Sequence, residues 1–402
     1  MKRIALFSAI VISTLSFAQK TNTTNAAMAY KSYEQSKGSD MEQAAKDLLE
    51  AKTYIDLAAV HVETQNDPKT LMYLGKIYIE IPIFGGMSGD AALKAVDPEE
   101  ALKKGFESFK KSKELDAKEM YVDAISEYCS MYRAIFSNMG ITTYDEGKYT
   151  EAMAGLIMAA TFGEAMGLKD SVFFYYGGLA AFNVEEWETS KDALTRTVEW
   201  GYELPASVYY LSQSYYKLGD TLGAEKMLKE QVAKHPKNIE VTIELINLYK
   251  ETNRKSEAIV ILNNAIALDP KNPILFAKAG FIYENMDNFT EAEAAYLKSM
   301  ELGNKLAGFS LGGLYFNKGV DIYTEANKLT FGTPEYVEKY DKLIEESKVY
   351  FQKSLPYLEA AAVDTPKDLF VLEALKAAYA KLQMQEKFLE TKKRIEEIKA
   401  GQ

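Results

Sequence analysis

Side chains able to carry nucleophilic attack, proton transfer or soft-metal binding are sparse in this 402-residue chain: two histidines, His61 and His235, and one cysteine, Cys129. They stand in separate stretches, so they supply neither a nucleophile with its base nor the Cys and His set of a zinc site. No HExxH or DxDxDG loop occurs, which removes the commonest zinc protease and calcium signatures. The glycines Gly85, Gly86 and Gly89 are not followed by the Gly-Lys-Ser/Thr that a phosphate loop needs. Asp and Glu number 58, but along charged helices they read as solvated faces, and no two stand out as acid and base. His235 precedes Pro236 at a helix end, where a cation suits the dipole. Cys129 lies in a helical run and reads as a small buried apolar residue. The expectation is a non-enzyme, with no catalytic residues, no metal ligands and no cofactor.

The elements that would position a binding surface are more legible. Tyr215, Tyr249 and Tyr283 are spaced by 34 residues, as are Ala224, Ala258 and Ala292. The same period joins Leu228, Leu262 and Tyr296, and also Leu211, Leu245 and Ala279, while Pro236 and Pro270 close two of the units. Near the N-terminus Leu71, Leu74, Gly75 and Tyr78 repeat the face of the first helix of such a unit. Gly75 has no Cβ and lets a neighbouring helix approach its backbone. These columns resemble the tetratricopeptide repeat. The resemblance implies an all-α fold, a right-handed superhelical solenoid of antiparallel helix pairs. Hydrophobic content of 47% and only 10 prolines agree with a folded, helical chain.

The resemblance also implies a groove, lined by fixed positions of each first helix. Carried onto this sequence, those positions are Tyr175, Asn183, Tyr209, Gln213, Tyr216, Asn247, Lys250, Phe281, Asn285, Phe309, Phe316 and Asn317. Such a lining of rings and amides suits an extended peptide, with sugars as the alternative ligand. The carboxylate clamp of the family's chaperone-tail binders is broken by Ile243.

Residues 1–18 read as an export leader. Lys2 and Arg3 precede an apolar run from Ile4 to Leu15, and Ser16-Phe17-Ala18 puts small residues where a signal peptidase reads. As a helix this run spans about 18 Å, against about 30 Å of hydrocarbon. Cleavage after Ala18 is expected, with no cysteine there for a lipid anchor. Loss of Lys2 and Arg3 takes the net charge from −11 to −13, which repels nucleic acid and anionic headgroups. No later stretch is apolar enough to span a membrane.

Along the rest of the chain, residues 19–67 form a lead-in and a helical pair, with Asp40 placed to cap the second helix. Repeat-like units fill 68–304, interrupted at 80–96 by an apolar, glycine-rich insertion read as a loop that packs back on the solenoid. Asp97 and Pro98 open the next helix, which is followed by one over 118–138 and by a unit beginning at Arg133, with four extra residues in a loop around 163–169. Units then start at Ser171, Pro205, Ile239 and Pro273, with turns at Gly219-Asp220 and Asn253-Arg254. Residues 305–366 read as a unit whose two helices are elongated into a hairpin turning at Phe331-Gly332, and 367–402 as the closing pair. Asp170-Ser171-Val172 and Asp220-Thr221-Leu222 resemble a bacterial periplasmic O-glycosylation acceptor but stand at helix starts, where they read as caps.

The functional expectation is a scaffold or adaptor for an envelope or secretion assembly, in the periplasm of a Gram-negative bacterium or secreted. Its partners are proteins or peptides and not nucleic acid. The alternative is a binding module for extended peptides or glycans.

Overall fold

A computed structural model describes residues 21–329 and 334–400. The expected leader and the expected turn at Phe331-Gly332 lie outside these residues. The described residues are helical, with no strand among them. The fold is an all-α helical solenoid, in two compact units divided between Ser214 and Tyr215.

In the first unit α1 (21–36) is followed by α2 (Met41–Ala59), α3 (Pro68–Ser88), the single turn α4 (Ala91–Lys94) and α5 (Pro98–Leu115). Then come α6 (Val122–Asp145), α7 (Tyr149–Met166), α8 (Ser171–Asn183) and α9 (Trp187–Trp200), and the unit ends within α10 (Leu204–Lys217). The starts follow from cap chemistry. Asp40 accepts from the Gln43 amide at 3.0 Å, Asp67 from Thr70 at 3.0 Å and Asp97 from Glu100 at 2.8 Å. Pro68 and Pro98 then occupy first-turn positions that need no donor.

Three expectations are corrected in this unit. The stretch from Glu80 to Ser88 is no loop: α3 runs through it and through Pro82, because Ile77, Ile79, Ile81 and Phe84 are buried and their packing outweighs the lost proline donor. The helix expected from 118 begins at Val122 and continues to Asp145, so the unit placed at Arg133 starts earlier. The extra residues expected in a loop around 163–169 instead prolong α7 to Met166, which Gly167 ends with a φ of 87°. Where α3 meets α5, a Cβ on Gly75 would strike the Phe109 ring and lie 3.1 Å from the Gly105 carbonyl oxygen. The close approach read from Gly75 is therefore made by α5.

The second unit holds α11 (Thr221–Lys234), α12 (Ile239–Glu251), α13 (Lys255–Leu268), α14 (Pro273–Glu284), α15 (Phe289–Glu301), α16 (Leu306–Asn327), α17 (Pro334–Asp364), α18 (Leu369–Lys381) and α19 (Gln385–Ala400). Each of these helices packs on the next. The 34-residue period is visible in the backbone: Glu185, Gly219, Asn253 and Asp287 all take positive φ, between 56° and 75°, in the turn between paired helices. Gly and Asn tolerate that conformation and announce it in sequence, whereas Glu does not. The helices α16 and α17 are the long pair, 22 and 31 residues.

Candidate functional site

The tyrosine column of the repeat does more than pack. Tyr78 donates its hydroxyl to Asp56 at 2.6 Å, Tyr249 to Glu225 at 3.1 Å, Tyr315 to Glu293 at 2.5 Å and Tyr379 to Glu359 at 2.7 Å. Each acceptor stands 20 to 24 residues earlier, and each bond ties a first helix to an element before it. Three of the four carboxylates also hold cations: Asp56 with Lys52 and Lys104, Glu225 with Arg254 and Lys229, Glu359 with Lys387. Glu225 is 8% exposed, and hydrogen bonds from Arg254, then Lys229, pull it down to about 2.

The expected groove residues belong to both units. In the first unit Tyr175 is half-buried against Tyr176 and Tyr202, and burial, reinforced by Tyr210 and Glu203, pushes its hydroxyl up to about 12. Asn183 turns its amide onto the Leu179 carbonyl of its own helix at 2.9 Å. Tyr209 is exposed and meets Tyr210 edge-on, while Gln213 is half-buried. In the second unit Tyr216 is exposed and Asn247 half-buried. Lys250 holds its ammonium 5.5 Å from the Phe281 ring centroid. Asn285, like Asn183, bonds back to its own helix, on the Phe281 carbonyl at 2.7 Å.

Four of the residues converge. Phe281, Phe309, Phe316 and Asn317 line a cleft of about 580 Å³ in the second unit, with Phe370 and Glu373 from α18 on its far wall. Phe309 meets Phe370 edge-on at 6.2 Å, and Phe316 lies 5.6 Å from Phe351. Phe281 is 44% and Phe370 75% exposed, so two rings stand open to a ligand while two are anchored in the core. Sequence reasoning did not find Phe370, which lies in the first helix of the closing pair, nine residues before Tyr379 of the tyrosine column.

A second cleft, of about 730 Å³, lies in the first unit between α1, α3, α5, α6 and α7. Met87, Met131, Ile135, Met139 and Met158 line it, with Glu80 at its base. Glu80 is 1% exposed. It accepts from Tyr33 at 2.7 Å, Tyr132 at 2.7 Å and Tyr30 at 3.3 Å, with the Lys37 ammonium 3.8 Å away. Burial first, then the Glu80 charge, raises all three tyrosines well above their ordinary range. The carboxylate is thereby a fully satisfied structural centre. Its sequence signal was one acid inside the run Ile77 to Phe84.

The side chains first weighed for chemistry are scattered. Cys129 is buried, and burial pushes its thiol up to about 12, far from a reactive thiolate. His61 accepts from the Glu63 amide, and His235 caps α11. Asp220 caps α11 through the Gly223 amide at 2.8 Å as expected, but Asp170 makes no such bond. It is instead gripped by the Arg133 guanidinium at 2.6 and 2.7 Å, a stronger bidentate claim than a backbone amide makes. Among the described residues no three His, Cys, Asp or Glu side chains are placed to hold a metal ion, and no helix is long and apolar enough to cross a membrane.

Residues 215–278, which run from the end of α10 into α14, match the tetratricopeptide repeat family. That segment carries tetratricopeptide repeats. A BBSome complex member, bbs-4, of Caenorhabditis elegans is 23% identical over 266 residues, 55% of this chain and 57% of that protein, so the match spans little more than half of its length. Among solved structures, the MamA protein aligns over 44% of this chain and 95% of its own, at 15% identity and a TM-score of 0.35. A TPR repeats protein from Bacteroides fragilis aligns over 62% and 98%, at 18% identity and 0.31. YrrB, described as a TPR protein with an unusual peptide-binding site, aligns over 48% and 97%, at 20% identity and 0.33.

Proposed function

We propose that this protein is a non-enzymatic tetratricopeptide-repeat scaffold, exported to the periplasm, that holds partners of an envelope or secretion assembly by an extended peptide segment. The observation that carries the reading is the cleft of Phe281, Phe309, Phe316 and Phe370 with Asn317. The rings remove apolar side chains from water, and the Asn317 amide offers a donor and an acceptor to peptide backbone. Export rests on the leader-like residues 1–18.

The test is crosslinking in fractionated cells. Wild-type protein is expected outside the cytoplasm, beginning at Gln19, and crosslinked to a defined set of envelope proteins. Replacing Phe281 and Phe370 by serine, both open to solvent and cheap to change, should empty that set. A partner set unchanged by the two substitutions removes the cleft from the account, and an intact Met1 on cytoplasmic protein removes the export.

A further inference from the structure

Beside the aromatic cleft lies a second depression, of about 420 Å³, lined by Glu284, Asp287, Asp321 and Lys318. The two share Glu284 and Asn317, so they are neighbouring halves of one surface. On α14 and its turn, Phe281, Glu284 and Asp287 follow at steps of three; on α16, Phe309, Gly313, Asn317 and Asp321 follow at steps of four. Those spacings place each series along one side of its helix. Both series begin on a phenylalanine and end on a carboxylate.

The charges at the acidic end are not internally compensated. Glu225, Glu359 and Glu373 of the same unit are each paired with lysine or arginine, whereas Glu284, Asp287 and Asp321 form no ion pair among the described residues. Glu284 is held in place by the Tyr296 hydroxyl at 2.9 Å. The lysine on this wall, Lys318, lies 5.8 Å from the Phe289 ring centroid, and three carboxylates face that single ammonium. Unpaired carboxylates beside low-dielectric walls create a local negative potential, which the arrival of a cation relieves.

We propose that the segment this surface takes is an extended peptide carrying lysine or arginine two to four positions from an aromatic or large aliphatic residue. The proposal rests on the reading of the aromatic cleft as a peptide site. One step of four residues on a helix covers about 6 Å, close to two residues of extended chain at about 3.3 Å each. Alternate residues of an extended chain point the same way, so an apolar residue in the aromatic half presents its basic neighbour to Asp321 and Asp287.

The probe is a phage-displayed library of random dodecapeptides, selected on the immobilised full chain. The expected result is enrichment of Lys or Arg two to four positions from an aromatic or large aliphatic residue. A peptide made from that consensus should bind about tenfold more weakly to a variant with Asp287→Asn and Asp321→Asn, and its binding to wild type should weaken as salt rises. Both aspartates are exposed, so the double variant keeps its fold. Enrichment of aromatic residues without basic ones, or basic enrichment that survives the double variant, overturns this inference and leaves the cleft standing. Absence of any enrichment over the variant with Phe281→Ser and Phe370→Ser overturns both.

Discussion

At the scale of single residues, two buried carboxylates organise their surroundings for opposite reasons of partnership. Glu80 is surrounded by hydroxyl donors. Glu80→Ala strands three buried tyrosine hydroxyls, and urea unfolding should register a loss of about 3 kcal/mol or more. A loss no larger than that of a surface glutamate would mean that the tyrosines find other acceptors. Glu225 is surrounded by cations, which hold its pKa near 2, below its ordinary carboxylate value. The native state thus gives up this proton more readily than the unfolded chain. The stability it contributes is fully present above the unfolded value, about 4.3, and is lost as pH falls through about 2. The gap in urea midpoint between wild type and Glu225→Gln should therefore shrink from pH 6 to pH 2.5, and a constant gap would assign the effect to packing.

At the scale of elements, glycine spacing decides how closely helices approach. A Cβ built on Gly155 of α7 would lie 2.8 Å from the Gly140 Cα and 3.0 Å from the Phe136 carbonyl oxygen of α6. These are backbone atoms, which cannot swing aside. Gly155→Ala should cost about 1–3 kcal/mol despite the better helix propensity of alanine. Gly86 of α3 is also helical but has nothing within 4 Å of its Cβ position, so Gly86→Ala should be neutral or stabilise by up to about 1 kcal/mol. Thermal or urea unfolding that gave both changes the same sign would refute the contact argument. Elements were also where sequence reading went astray. Glycines and a proline between Pro82 and Gly89 announce a loop, but burial of Ile81 and Phe84 kept that stretch helical as far as Ser88.

At the scale of the whole molecule, helices added in succession let the chain grow without enlarging one core. In the second unit every helix leans on the next, and surface is gained with each pair. That surface is where the proposed activity sits: crosslinking tests whether the aromatic cleft holds envelope partners, and peptide selection tests whether its acidic neighbour sets their charge. The net charge of −11 agrees with a preference for basic segments and against nucleic acid.

The sequence by itself determined the fold, the period, most cap positions and the scarcity of histidine and cysteine, because these depend on local spacing and residue type. Tyr215, Tyr249 and Tyr283 announce a helix pair wherever they recur. Of the twelve groove residues, four gather in one cleft, while Asn183 and Asn285 spend their amides on their own helices. Only tertiary structure decided that, since a side chain's free valence depends on neighbours distant in sequence. Phe370 joining Phe309, and Tyr30, Tyr33 and Tyr132 meeting on Glu80, are contacts across 47 to 61 residues, and no periodicity reports them.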